Sequence, residues 1–177
     1  MTGSKYLVEV NGIRLLVDCG LYQERGLKNL NWEPFHVSPD KIDIVLLTHA
    51  HLDHCGLIPK LVKEGFKGRI YCTPATTEIA KIVLLDSAKI QEEDAAFKLK
   101  RHLREGKKGN YPEIPLYTKE DAEASFSFFS SIEYEQKLDL GSGIKVVFYD
   151  AGHILGSATI KLLVKSNGEE RTLIFSG

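Results

Sequence analysis

Two rhythms of apolar and polar positions run along the chain. Segments 5–10, 13–18, 68–73, 144–150, 158–164 and 172–175 are short and rich in Val, Ile, Leu, Tyr and Phe, and they predict strands. Asn11-Gly12 between the first two supplies the paired positive-φ positions of a tight hairpin turn. Gly141-Ser142-Gly143 and Ser166-Asn167-Gly168-Glu169 punctuate two further strand pairs. Ile42-Asp43-Ile44-Val45-Leu46-Leu47 is nearly continuously apolar, the mark of a strand buried on both faces.

The helical rhythm appears in three places. Residues 57–65 predict a short helix stopped by Gly65. Pro74 opens a long helix whose apolar Ile79, Ile82, Val83 and Leu85 are expected to pack inward. Thr118-Lys119-Glu120-Asp121 resembles a capping box and predicts a helix to about Ser130. Residues 21–41 are irregular, and 109–115, with Gly109, Pro112 and Pro115, break the long helix. In the irregular loop, Trp32 and Phe35 either stack on a base or pack beneath the loop, and His36 is expected at the surface.

Chemistry concentrates at the end of the most apolar strand. Thr48-His49-Ala50-His51-Leu52-Asp53-His54-Cys55-Gly56 holds three of the six histidines. A His-x-His pair leaving a strand end can aim both imidazoles at one ion, and Asp53 with His54 is placed to hold a second beside it. His153, between Gly152 and Gly156 after another strand, offers the third imidazole that a catalytic zinc site needs.

Composition narrows the setting. The chain has 177 residues, 43% of them hydrophobic, enough for one domain with a sizeable core. A net charge of −1 gives no overall pull toward a polyanion, so any nucleic-acid contact must be local. The candidate is the stretch 86–108, acidic up to Asp94 and then basic through Lys98, Lys100, Arg101 and Arg104. It is either a solvated helix face or an RNA-backbone contact, with His102 expected at the surface. Cys19, Cys55 and Cys72 have no metal-motif or disulfide spacing, which suggests reduced thiols and a cytoplasmic protein, with Cys55 a small buried residue. No apolar stretch is long enough to span a membrane.

Thr48-His-x-His-x-Asp-His54 resembles the metal-binding signature of the metallo-β-lactamase superfamily. Ala151-Gly-His-Ile-Leu-Gly-Ser-Ala158 resembles the RNA-processing β-CASP branch of it, as do Gly20-Leu-Tyr-Gln23, Leu47 to Pro59, Gln91 to Ala95 and Pro115 to Thr118. The resemblance implies an α/β fold, an αββα sandwich of mixed sheets with helices outside, of which residues 1–177 are the N-terminal portion. It implies two Zn²⁺, one on His49, His51 and His153 and one on Asp53 and His54, with Asp53 as a candidate catalytic residue. It gives Asp18, otherwise an ordinary turn-forming Asp, the task of orienting the ligand loop and fixing imidazole tautomers.

The implied activity is hydrolysis of single-stranded RNA by metal-activated water. The alternatives are a thioester or lactam hydrolase on the same fold, or a non-catalytic scaffold subunit. A homo-oligomer is possible, and no membrane partner is expected. Family members carry a strand before Thr2-Gly3-Ser4, and after Phe175-Ser176-Gly177 they carry an Asp, the β-CASP domain and a final histidine. The 177 residues alone are therefore expected to bind zinc poorly, to lack a general acid and to be inactive.

Overall fold

The computed structural model describes residues 3–106 and 112–177. In chain order the elements are β1 (Tyr6–Val10), β2 (Ile13–Val17), β3 (Ile44–Leu46), α1 (Leu52–Cys55), α2 (Ile58–Lys63), β4 (Arg69–Cys72) and α3 (Pro74–Glu105). They continue with α4 (Lys119–Ser125), β5 (Phe129–Ser131), β6 (Lys137–Gly141), β7 (Ile144–Asp150), β8 (Ala158–Ser166) and β9 (Glu169–Phe175). Single 3-10 turns at Lys28–Trp32 and Pro39–Lys41 lie in the long loop between β2 and β3.

Two sheets form. The first has the order β1-β2-β3-β4-β5, with β1 antiparallel to β2 and the remaining pairs parallel. The second, β6-β7-β8-β9, is antiparallel throughout, so only one of the two expected mixed sheets is mixed. Local hairpin connections explain this, because tight turns can join only antiparallel strands. Asn11 and Gly12 take φ of 51° and 79°, as the hairpin turn requires. The Asn11 amide also donates to the carbonyls of Ser142 and Lys165, at 2.7 and 2.9 Å, tying the hairpin to the second sheet.

The first sheet is buried on both faces. Leu15, Val17 and Leu46 pack between the sheets against Ile144, Val146, Phe148, Ile160 and Leu162. Leu16, Val45, Leu47 and Ile70 face the other way, onto the helices. All helix-borne residues of the core lie on that side, and among the described residues no helix packs in the sheet–sheet core. The described architecture is thus one helical layer on two sheets.

Three sequence expectations change. Ile82 is 69% exposed, while Ile79, Val83 and Leu85 are only partly buried. The buried face of α3 is made of Thr76, Thr77, Ala80, Ser87, Ala88 and Ala95, small residues that let the helix lie close to its support, with Leu84 the one large apolar side chain among them. His102, expected at the surface, is buried and bonded through Nδ1 to the Glu113 carboxylate, a partner eleven residues away across the loop. The helix expected to reach Ser130 ends at Ser125, as α4 gives way to a 3-10 turn and then to β5, which pairs in parallel with β4. The capping box itself forms, with Thr118 Oγ1 accepting from Asp121 N and the Asp121 carboxylate accepting from Thr118 N. The expected helix break at 109–115 falls partly outside the described residues, as do Lys107 and Lys108.

Leu46→Ala, at a fully buried position between the sheets, should lower the unfolding free energy by about 2–5 kcal/mol. Ile82→Ala should change it by no more than about 0.5 kcal/mol. Urea unfolding of the two variants checks both; equal losses would place Ile82 in a core.

Candidate metal centre

The site is built at the carboxyl ends of the parallel strands, where chain leaving β2, β3 and β4 converges, as in open α/β sheets generally. β2 delivers Asp18, β3 delivers Thr48 and His49, and β4 delivers Thr73. His153 comes from the other sheet, on the loop between β7 and β8.

His49, His51 and His153 each offer a ring nitrogen, and these nitrogens lie within 4.8 Å of one another. His51 Nδ1 is 3.0 Å from His49 Nε2 and 3.2 Å from His153 Nε2. Ligands of a tetrahedral ion held at ~2.05 Å stand ~3.3 Å apart, so the two distances made by His51 match the spacing of a metal site. Beside them, His54 Nε2 lies 3.9 Å from the Asp53 carboxylate, and the His54 ring centre is 4.1 Å from that of His49. The five expected ligands therefore form one cluster. His49 is buried while His51 and His153 are exposed, which leaves an open side for a substrate.

Asp18 sets the tautomers. Its buried carboxylate accepts from Thr48 N at 2.8 Å, from Thr48 Oγ1 at 2.9–3.0 Å and from His54 Nδ1 at 2.7 Å. Thr48 has one hydroxyl proton and gives it to Asp18, so its oxygen must accept from His49 Nδ1 at 3.0 Å. With both Nδ1 atoms protonated, the Nε2 lone pairs of His49 and His54 are left bare for a metal. Burial, reinforced by the neighbouring imidazoles, pushes the His49 pKa down to about 4, so the ring is neutral at pH 7. Burial is the largest influence on His54 and disfavours its charge, but the bond to Asp18 together with the negative charges of Asp18 and Asp53 outweighs it and raises the pKa.

The backbone holds α1 in place. Cys19 N donates to His54 O at 2.7 Å, Leu21 N to Leu52 O at 2.9 Å, Leu57 N to Cys19 O at 2.9 Å and Ser4 N to Asp53 O at 2.8 Å. This contact demands glycine at position 20, where a Cβ would lie 1.7 Å from the Asp53 carbonyl oxygen. The expected helix at 57–65 is preceded by α1, so Asp53 and His54 sit on a helical turn rather than in a loop.

Hydroxyls hold the His153 loop. Thr73 Oγ1 and Thr76 Oγ1 donate to Gly156 O at 2.6 and 2.8 Å, and Ser157 Oγ accepts from His153 N and Ile154 N at 3.1 and 3.2 Å. Sequence reasoning missed Thr73 and Thr76. Their one signal was Thr-Pro at a helix start, since Thr73 caps α3 with Pro74 at the first helical position.

The other candidates resolve as follows. Cys19, Cys55 and Cys72 are buried, and burial pushes the Cys19 and Cys72 thiols up to about 12 and Cys55 higher, so none is a thiolate ligand at neutral pH. Trp32 and Phe35 pack partly buried against the helix-side core, and His36 is exposed. Lys98, Lys100, Arg101 and Arg104 lie on the C-terminal half of α3 and are not brought into the histidine cluster.

Comparison with known proteins agrees with the geometry. Residues 7–175 match the metallo-beta-lactamase superfamily domain. A ribonuclease of Thermus thermophilus is 38% identical over 177 residues, which is 100% of this chain and 35% of the ribonuclease. Transcription termination factor FttA of Methanosarcina mazei is 36% identical over 157 residues, 88% of this chain and 22% of the factor. This chain thus spans well under half the length of either relative. Among solved structures, a subclass B3 metallo-beta-lactamase from a soil metagenome superposes with a TM-score of 0.57 at 15% identity, covering 98% of this chain and 56% of that one.

Asp18→Asn keeps a side chain that tolerates the positive φ of 60° at this position while removing the charge. It should weaken zinc affinity ~10–100-fold, and the Thr73→Ala/Thr76→Val pair should weaken it through the His153 loop. Calorimetric titration with zinc reads both; unchanged affinity in both would leave these contacts without a part in the site.

Proposed function

The chain belongs to the metallo-beta-lactamase superfamily, and on that premise we propose that it is the metal-binding part of a zinc-dependent ribonuclease of the β-CASP branch. The observation that carries this reading is the convergence of His49, His51 and His153 beside Asp53 and His54, all with the donor chemistry zinc prefers. We assign one zinc to the three imidazoles and a second to Asp53 and His54. When bound, the two ions supply Lewis acidity that acidifies a water and neutralises charge on a scissile phosphodiester.

The chain's own residues do the rest. Asp18 and Thr48 hold the imidazole tautomers, the 19–21 backbone fixes Asp53 and His54, and the Thr73–Thr76–Ser157 hydroxyls present His153. Among the five assigned ligands Asp53 is the one carboxylate, and we assign it the catalytic role. We assign the general acid to a region of the kind that the longer relatives carry outside this match.

Single-stranded RNA is the proposed substrate, because the β-CASP motifs cover the chain and the Thermus relative is a ribonuclease. A cavity of about 320 Å³ supports an RNA path. It reaches from Leu52, between His51 and Asp53 in the sequence, to Lys98, and is lined also by Lys28, Trp32, Ile90 and Ile114 and by two carboxylates, Asp86 and Asp94, the latter 3.9 Å from Lys98. Lys100, Arg101 and Arg104 do not line it, so the backbone contact is proposed for Lys98. The lactamase structures share the fold at low identity, which carries no lactam chemistry to this chain. A scaffold subunit would have no need to keep all five ligands. We place the protein in the cytoplasm, in keeping with three buried thiols; no described helix is long and apolar enough to cross a membrane.

The protein that carries this chain should cleave a single-stranded RNA oligonucleotide, lose that activity to a chelator and regain it with Zn²⁺. His51→Ala or Asp53→Asn should cut turnover by orders of magnitude and leave the melting temperature of the metal-free protein little changed, since both side chains sit off the core. Cleavage that survives complete metal removal would refute the assignment.

Lys98→Ala should weaken RNA binding and reduce the slope of log affinity against log salt by about one unit. Filter binding across a salt series decides it, and an unaltered slope would leave Lys98 outside the RNA path.

A further inference from the structure

Along α3, Asp86, Ile90, Asp94 and Lys98 recur at four-residue spacing and form one ridge, and all four line the cavity of about 320 Å³. Two other segments add Trp32 and Ile114, joined to each other by Trp32 Nε1 donating to the Ile114 carbonyl at 3.4 Å. The partly buried Gln91 amide, also in the lining, is fixed at both ends. Its Nε2 donates to Ser87 Oγ at 3.0 Å and its Oε1 accepts from Leu116 N at 3.1 Å. The lining thus combines apolar side chains, a fixed amide and charges of both signs, Asp86 and Asp94 against Lys28 and Lys98.

The two carboxylates are not equivalent. Asp94 lies 3.9 Å from the Lys98 ammonium, whereas Asp86 has no hydrogen bond or ion pair among the described residues. A phosphate drawn to the Asp86 end would meet an uncompensated like charge. An RNA base meets no such charge. Its flat faces suit the apolar walls that Trp32 and Ile90 provide, and its edge carries N–H groups that a carboxylate accepts. A carboxylate only accepts, so the bases sort by the donors they present to it. On the Watson–Crick edge, uracil has one N–H flanked by two oxygens. Adenine and cytosine each have an amino group beside a bare nitrogen. Guanine alone carries two adjacent N–H donors, at N1 and N2, and these match the two oxygens of one carboxylate as a fork.

We propose that this cavity seats a guanine base of single-stranded RNA, with the Asp86 carboxylate accepting from N1–H and N2–H. Ile90, one turn further along the ridge, supplies an apolar wall about 6 Å away along the helix. The site rests on the ribonuclease reading and adds to it a residue that selects which stretch of RNA lies beside the metal centre. The phosphate contact assigned to Lys98 lies about 18 Å from Asp86 along α3, so the two contacts fall at different ends of the cavity.

Binding measured apart from cleavage tests the site. The full protein, held in chelator so that strands stay intact, is titrated with a fluorescent oligouridine and with the same strand carrying one central guanosine. Anisotropy should show the guanosine strand bound at least about fivefold more tightly. Inosine in the same place keeps N1–H and lacks the exocyclic amino group, so its affinity should fall between the two. Asp86→Asn sets an amide N–H against the guanine donors and should abolish the difference between the strands, with circular dichroism confirming that the variant is folded. Failure to prefer the guanosine strand, or a preference that survives Asp86→Asn, overturns the proposal. Zinc-restored cleavage with no base preference removes the guanine site and keeps the ribonuclease. Guanosine monophosphate that displaces the guanosine strand from the parent, in a protein that cleaves no RNA with zinc restored, keeps the site and removes the ribonuclease.

Discussion

The buried carboxylate of Asp18 is the constraint on which the site depends. A carboxylate taken out of water costs several kcal/mol unless donors replace the solvent. Here the replacements come from two other places: the Thr48 backbone and hydroxyl at the end of β3, and the His54 ring on α1. None of these can move without stranding the charge, so one side chain at the end of β2 holds a strand end and a helical turn in a single arrangement. Register matters equally, because a slip of one residue in β2 would turn Asp18 and the Leu15–Val17 face to opposite sides of the sheet. Asp18 also takes a φ of 60°, which an aspartate tolerates better than most residues. The same residue type meets the backbone demand and the hydrogen-bonding demand.

The two halves of the candidate metal centre are held by different physics. Asp53 and His54 ride on α1, whose carbonyls are gripped by backbone N–H groups of residues 4, 19 and 21. That grip depends on close approach at Gly20 and is indifferent to most side chains. His153 belongs to the second sheet and reaches the site only because Gly156 O is bonded to two hydroxyls at the start of α3, while Ala158 N donates to Thr48 O at 2.9 Å. A Cβ at Gly156 would come within 2.5 Å of Thr76 N, so the loop lies flush on the helix start. Bringing the three imidazoles together is therefore the same event as docking the two sheets.

Where the sequence was legible, local rules and the core agreed. The double-sided burial of β3 was readable from Ile42–Leu47, the β1–β2 turn from Asn11-Gly12, and the capping box from Thr118 and Asp121. The clustering of candidate donors in residues 49–54 was readable because four of the five are nearly contiguous. What escaped was set by distant partners. His102 is buried by Glu113, on a segment whose path no local pattern specifies. Ile82 was assigned inward because apolar residues usually are, whereas α3 packs through alanines and threonines that allow closer approach. Phe129–Ser131 continued a helical pattern and became a strand because the β4 edge was free to pair. Thr73 and Thr76 bond to a carbonyl eighty residues away, which no spacing in the sequence announces.

The length of α3 separates the jobs done at its two ends. Its 32 residues span about 48 Å. The first turn secures the His153 loop, while His102 in the last turn is bonded to Glu113. The C-terminal half also lines, through Lys98, the cavity that Leu52 lines from the other side. Lys98 stands about 160° around the helix from the exposed Ile82 and so faces the protein, while Lys100 lies on the side of Ile82 and faces away from it. One helix thus fixes a candidate ligand loop at its start and forms a cavity wall toward its end.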